Sequence, residues 1–172
     1  MKKLEKSFFE RDAEIVAKEL LGKILSMKTS EGCVYRWRII ETEAYKEEEN
    51  KNGDQICHVN EKTKSCAKIF SEGGNGLIIT CGEEASADNV LIRGMLTIFY
   101  SRPYKAMKTF IGKYSNIDLE APVDLLDPDS KVELEDDGIS AKPISGTRVG
   151  LNENSNKEWN FKLFDLKASE TI

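Results

Sequence analysis

The stretch Arg38-Ile39-Ile40-Glu41-Thr42-Glu43-Ala44-Tyr45 closes a strand-like run that begins at Cys33 and sets two carboxylates near its far end. Alternation along a strand sends Tyr35, Trp37, Ile39, Glu41 and Glu43 one way, and Val34, Arg36, Arg38 and Ile40 the other. On that reading Glu43 continues the apolar face of Trp37 and Ile39 where the strand leaves the core. Partial loss of water at such a place raises the proton affinity of a carboxylate toward the range useful for a general base. A plainer reading leaves Glu41 and Glu43 solvated on an exposed strand end, paired with Arg36 or Arg38. Residue types alone leave both readings open. The single histidine of the chain, His58, follows in a polar stretch.

Outward from this strand the pattern is that of a mixed α/β chain. Ser7 with Glu10 reads as a capping box, and Ala13, Val16, Ala17, Leu20 and Leu21 form an apolar helical stripe stopped by Gly22. Residues 23–29 and 33–45 read as strands joined by a turn at Ser30-Glu31-Gly32. Residues 46–72 are polar and irregular and read as a long functional loop. Strands are expected at 77–81 and 89–93, and a helix from Ser101 to Ile111 closed by Gly112. Residues 115–129 read as a loop or short helix, with final strands around Val149 and over 159–164. The expected fold is a single α/β domain over residues 1–172, with a curved, mainly antiparallel sheet and flanking helices.

Composition bounds the function. The chain has 172 residues, enough for a proper core, with 40% hydrophobic and 32% charged residues. No apolar run reaches the length of a membrane span and the Lys-rich start lacks a signal-peptide core, so an intracellular location and no membrane partner are expected. Cys33, Cys57, Cys66 and Cys81 contain no CxxC pair. Four reduced thiols is the better reading than a zinc site built from Cys57, His58, Cys66 and Cys81, and no metal or cofactor is expected. There is no Gly-x-Ser-x-Gly elbow and no phosphate-binding loop; Gly73-Gly74-Asn75-Gly76 reads as a turn. The net charge is −5 with a pI near 5.1, which opposes affinity for a phosphate backbone. Acid is concentrated in Glu47-Glu48-Glu49 and in residues 133–137, whereas Lys62, Lys64 and Lys68 and then Arg102, Lys105, Lys108 and Lys113 cluster separately. Should those cations share a face, a DNA-binding surface survives on an acidic protein.

Arg38-Ile39-Ile40-Glu41-Thr42-Glu43-Ala44-Tyr45 resembles the signature strand of the alkyladenine (3-methyladenine) DNA glycosylases, monofunctional enzymes that excise damaged purines. The resemblance continues in order along most of the chain. Residues 8–13 through 20–25 are similar to the family's first helix and strand. Phe70 with Gly73-Gly74 resembles its Met-Phe…Pro-Gly turn, and Val90-Leu91-Ile92-Arg93 its strand with the site arginine. Ser101-Arg102-Pro103-Tyr104-Lys105 is a weak version of a Gly-Pro-x-Lys helix start. Thr147-Arg148-Val149-Gly150 and Trp159-Asn160-Phe161 resemble the closing Arg-Ile/Val-Gly and Trp-Arg-Phe elements.

The resemblance implies a base-excision repair enzyme acting on damaged DNA, nuclear or nucleoid in location and monomeric. Glu43 would be the general base for the attacking water, Arg93 would hold that water or a phosphate, and Tyr45 and His58 would sandwich the flipped base. Ile78 stands where the family carries a selectivity asparagine. Lys62, Lys64, Lys68, Arg102 and Lys105 would meet DNA. A segment of the form Tyr-Val-Tyr-x-x-Tyr-Gly-Met, which supplies the family's tyrosine wedge, is missing between Gly74 and Leu77, and residues 94–100 replace a longer basic insertion. Tyr100 and Tyr104 are candidate replacement aromatics. The competing reading is a weakened or silent member kept as a nucleic-acid-binding or interaction module.

Overall fold

A computed structural model describes residues 1–28, 32–49, 66–71, 76–83, 86–98, 119, 121–140, 142–151 and 157–163. His58, Lys62, Lys64, Tyr100, Arg102, Tyr104 and Lys105 lie outside the described residues, as does the helix expected from Ser101. So do two members of the candidate zinc set, Cys57 and His58.

The described residues form β1 (Lys2–Lys3), α1 (Lys6–Phe9), α2 (Ala13–Leu20), β2 (Ile24–Lys28), β3 (Val34–Tyr45), a 3-10 turn (Glu47–Glu49), β4 (Lys68–Ser71), β5 (Leu77–Thr80), β6 (Asn89–Thr97), β7 (Val123–Asp124), β8 (Val132–Asp136), β9 (Pro143–Gly146) and β10 (Asn160–Leu163). All strands join one antiparallel sheet in the order β1-β8-β2-β3-β6-β5-β4-β7, with β10 paired to β3 and β9 paired to β10. The mixed α/β fold with a mainly antiparallel sheet is therefore the one expected.

The centre of the sheet is β3, and its two halves have different neighbours. Residues Val34 to Arg38 pair with β2, whereas Glu41 to Glu43 pair with β10, and β6 runs along the other edge from Trp37 to Tyr45. The change falls at a register irregularity around Ile39 to Thr42, which lets the sheet fork and bend there. Gly94 lies opposite Glu41 at this point, and a Cβ on it would stand 3.2 Å from the Glu41 Cβ.

That irregularity overturns the simple alternation read from sequence. Trp37 and Ile39 face the main core, but so does Ala44, and Thr42 Oγ1 donates to the Ala17 carbonyl of α2 at 2.8 Å. Past the bulge the even-numbered residues face the core, so Glu43 stands on the opposite face from Trp37 and Ile39. That second face carries a smaller apolar cluster of Tyr45, Ile78, Ala87 and Leu91. One extra residue moves every later side chain to the other side of a strand.

The N-terminal helix also differs from its expectation. It is two helices, and Ser7 lies inside α1, so the capping box does not form; Glu5 precedes the helix without a side-chain cap. Asp12 caps α2 instead, accepting from the Glu14 N–H at 2.8 Å. The apolar stripe is as expected: Ala13, Val16, Ala17, Leu20 and Leu21 are buried, and Gly22 ends the segment with φ of +83°. Four strands go beyond the sequence reading. β1 is only two residues long; β4 lies in the supposed long loop, and β7 within the stretch read as loop or short helix. β8 lies in the acidic run, with Val132 and Leu134 buried and Glu133 and Glu135 turned outward. The strand expected near Val149 is displaced to β9, while β10 falls where expected.

Candidate active site

Glu43 is completely buried, with no exposed surface. Bringing a carboxylate out of water is costly unless hydrogen bonds replace the lost hydration, and four donors do so here. Oε1 accepts from the Val149 backbone N–H at 2.8 Å and from Asn160 Nδ2 at 2.9 Å. Oε2 accepts from Tyr45 Oη at 2.9 Å and from Arg93 Nη1 at 3.4 Å. These donors come from four places in the sequence: β3 itself, β6, the segment after β9, and β10. The antiparallel register explains the meeting, because Glu43 is aligned with Leu91 of β6 on one side and with Asn160 of β10 on the other.

Tyr45 is 2% exposed. Burial, followed by the charge and hydrogen bond of Glu43, raises the Tyr45 phenol well above its ordinary value, so the hydroxyl stays a donor. Its ring has the Arg148 guanidinium 4.9 Å from the centroid. Arg148 is itself buried, lies 5.3 Å from the Trp159 ring, and binds Glu49 in a two-pronged pair at 2.8 Å for each contact. Arg148 also donates to the Ala44 carbonyl at 3.0 Å. Burial pushes the Glu49 carboxyl up, but the hydrogen bonds from Arg148 and the Lys46 N–H, with the Arg148 charge, outweigh it and hold the group below its ordinary value. The network ties the 3-10 turn and the segment carrying Val149 to the end of β3, and so fixes one of the four donors to Glu43.

The plainer reading of the carboxylates does not survive. Arg36 pairs with Glu135 at 3.5 Å and Arg38 with Asp137 at 2.8 Å, both across to the β8 side, and neither meets Glu41 or Glu43. Glu41 is nearly buried, accepting from Asn160 Nδ2 at 3.0 Å and meeting Lys162 Nζ at 3.3 Å.

Of the residues nominated from sequence, Glu43, Arg93 and Tyr45 are in direct contact. Ile78 is fully buried in the same small cluster as Tyr45. Lys68 is at the far end of the sheet, where it pairs with Asp124 of β7. A groove of about 600 Å³ lined by Ser26, Lys28, Arg36, Lys131, Glu133 and Glu135 contains none of the site residues. Two contributors had no assigned role in the sequence reading. Asn160 could have been found as the lone polar residue between Trp159 and Phe161. The Val149 N–H carries no sequence signal, since every residue but proline offers the same donor.

A buried carboxylate held by an arginine, a tyrosine, an amide and a backbone N–H is suited to accept a proton from a water brought to it. The model of the methylpurine-DNA glycosylase family matches residues 7–167 of this chain. A Clostridium botulinum protein named "Putative 3-methyladenine DNA glycosylase" is 30% identical over 142 residues, covering 75% of this chain and 67% of the relative. A Prosthecochloris aestuarii protein of the same name is 35% identical over 107 residues, covering 55% of this chain and 50% of the relative. In Desulfitobacterium hafniense a protein of that name is 51% identical over 51 residues, 30% of this chain and 25% of the relative. The matched region thus spans between a quarter and two thirds of the length of these relatives. With the signature strand, its arginine partner and a match over nearly the whole sequence in agreement, the chain belongs to the methylpurine-DNA glycosylase family.

Proposed function

We propose that this protein is a DNA glycosylase that hydrolyses the N-glycosidic bond of alkylated or deaminated purines, with Glu43 as the general base. The observation that carries this reading is the fully buried Glu43 carboxylate with Arg93 at 3.4 Å, on the strand that bears the family motif. Water attacks C1′ of the flipped nucleotide and forms the new C–O bond. The purine leaves with the electron pair of the C1′–N bond, and Glu43 takes the proton of the water. His58 would stack on the extruded base, and Tyr45 and Ile78, which are 2% and 0% exposed, would join it only through a rearrangement that uncovers them. Lys62, Lys64, Lys68, Arg102 and Lys105 would approach the phosphates, Lys68 only by leaving Asp124.

The test is single-turnover base release from oligonucleotides carrying hypoxanthine or ethenoadenine, paired and unpaired, at low salt. The expected outcome is release by the native protein and a loss of at least about hundredfold in Glu43→Gln, the range for a positioned acid–base group. Release unaffected by Glu43→Gln would remove Glu43 from the chemistry. No release by folded native protein would favour the silent binding module, a reading that the net charge of −5 supports.

A further inference from the structure

A carboxylate has about four lone-pair positions, and in Glu43 four protein donors already point at them. A general base must receive its proton on one of these oxygens, so one donor has to yield to the water. The geometry points to Asn160 as the positioning residue that commits Oε1 of Glu43 to the protein and leaves Oε2 as the oxygen that meets the attacking water. This inference rests on the glycosylase reading above.

The two oxygens are held unequally. Oε1 has short contacts from the Val149 N–H (2.8 Å) and Asn160 (2.9 Å). Oε2 has Tyr45 at 2.9 Å, but its second contact, Arg93, is the longest of the four at 3.4 Å and comes from a side chain that is 29% exposed. Arg93, partly exposed to solvent, is the donor that can shift outward and admit water. Asn160 cannot, because it is 2% exposed and sits on a strand whose register places it directly opposite Glu43. Its amide group is held at both hydrogens, one to Glu43 and one to Glu41 at 3.0 Å, and Glu41 is in turn met by Lys162 at 3.3 Å. The orientation of the amide follows from these partners: turned over, its carbonyl would face two carboxylates. Among the described residues, the charged and titratable groups around Glu43 are Glu41 and Tyr45 from β3, Arg93 from β6, Lys162 from β10, and Arg148 from the segment after β9. Among these, Asn160 is the neutral bridge that holds two carboxylates in fixed relation.

The test compares Asn160→Leu, which keeps the volume and removes the donor, with Asn160→Ser, which loses volume and keeps a donor. Single-turnover release from a hypoxanthine oligonucleotide and affinity for the same oligonucleotide are measured in both, with thermal melting as the check on folding. A hydrogen bond to a charged group has a strength that corresponds to about tenfold to hundredfold in rate. The expected result is a loss of that size in the chemical step of Asn160→Leu, a smaller loss in Asn160→Ser, and unchanged DNA affinity in both. A space-filling role gives the reverse order, and that order, or Asn160→Leu at the native rate, overturns the inference while leaving the glycosylase reading standing. Absence of release by the native protein defeats both.

Discussion

At the scale of single residues, the proposed chemistry depends on how a buried carboxylate is compensated. Glu43 has no exposed surface, and each of its donors therefore replaces hydration that the ion has lost. Tyr45 contributes one of them from a ring that is itself buried, with its hydroxyl 2.9 Å from Oε2. Removing that hydroxyl in Tyr45→Phe keeps the ring and takes away one charge-assisted hydrogen bond, a change of about 1.5–3 kcal/mol. The expected outcome is a base-release rate lowered at least about tenfold with the oligonucleotide affinity retained, since the aromatic surface is unchanged. Single-turnover kinetics beside an equilibrium binding titration checks it. A variant with the native rate would show that Val149, Asn160 and Arg93 suffice to hold the carboxylate.

Among the elements, the end of β3 and the 3-10 turn Glu47–Glu49 are joined by Arg148. Its guanidinium lies against Tyr45 and Trp159 and takes both oxygens of Glu49. Both partners are nearly inaccessible to water. Removing one member of such a pair leaves the other charge buried, so Glu49→Leu and Arg148→Met are each expected to lower folding stability by about 3–5 kcal/mol. Replacing both together should cost less than the sum, and equilibrium denaturation of the single and double variants measures the difference. The same pair gives a pH dependence. Glu49 is held below its ordinary value in the folded protein, so its contribution is present above the unfolded value of 4.5 and is lost as the pH falls through the lower folded value. The native protein should lose stability below that point, and Glu49→Gln should lose less over the same interval. Denaturation midpoints across acidic pH would reveal it; parallel curves would show that Glu49 is unimportant to acid unfolding.

For the whole molecule, the proposed function raises the question of how an acidic protein would hold DNA. The run in β8 is largely matched by cations of the sheet: Glu133 by Lys3, Glu135 by Arg36, Asp136 by Lys23, and Asp137 just beyond it by Arg38. That pairing removes much of the repulsion the composition suggests, but it also occupies basic side chains, and Lys68 is similarly tied to Asp124. Of the residues nominated for phosphates, Lys68 is the one that lies among the described residues. The hairpin of β4 and β5 closes with Ser71 opposite Leu77, which leaves only residues 72–76 where the family carries its wedge segment. Without a wedge, extruding a well-paired base lacks stacking compensation of about 1–3 kcal/mol per contact. Excision is therefore expected to be about tenfold or more faster from unpaired or mispaired damaged purines than from a fully paired duplex. With about four phosphate contacts, duplex affinity should fall roughly hundredfold between about 50 and about 200 mM salt. Equal excision rates in both contexts, together with tight and salt-insensitive duplex binding, would contradict this picture.

The sequence by itself determined the family, the apolar stripe of α2, the strand identity of β2, β3, β5 and β10, and the carboxylate–arginine–tyrosine trio. These depend on local periodicity and on two motifs, residues 38–45 and 90–93, each of contiguous residues, so the information lies within short windows. Even the acidic strand β8 was legible in principle, since Val132 and Leu134 alternate with Glu133 and Glu135, but its charge masked its period. Tertiary structure alone decided which face of the sheet Glu43 occupies, because a bulge opposite Gly94 inverts the alternation of β3 at Glu41. It also decided that Arg36 and Arg38 turn to β8 rather than to the site carboxylates, and that Asn160 and the Val149 N–H complete the shell of Glu43. Those contacts join residues more than a hundred positions apart through sheet register, which no local pattern encodes.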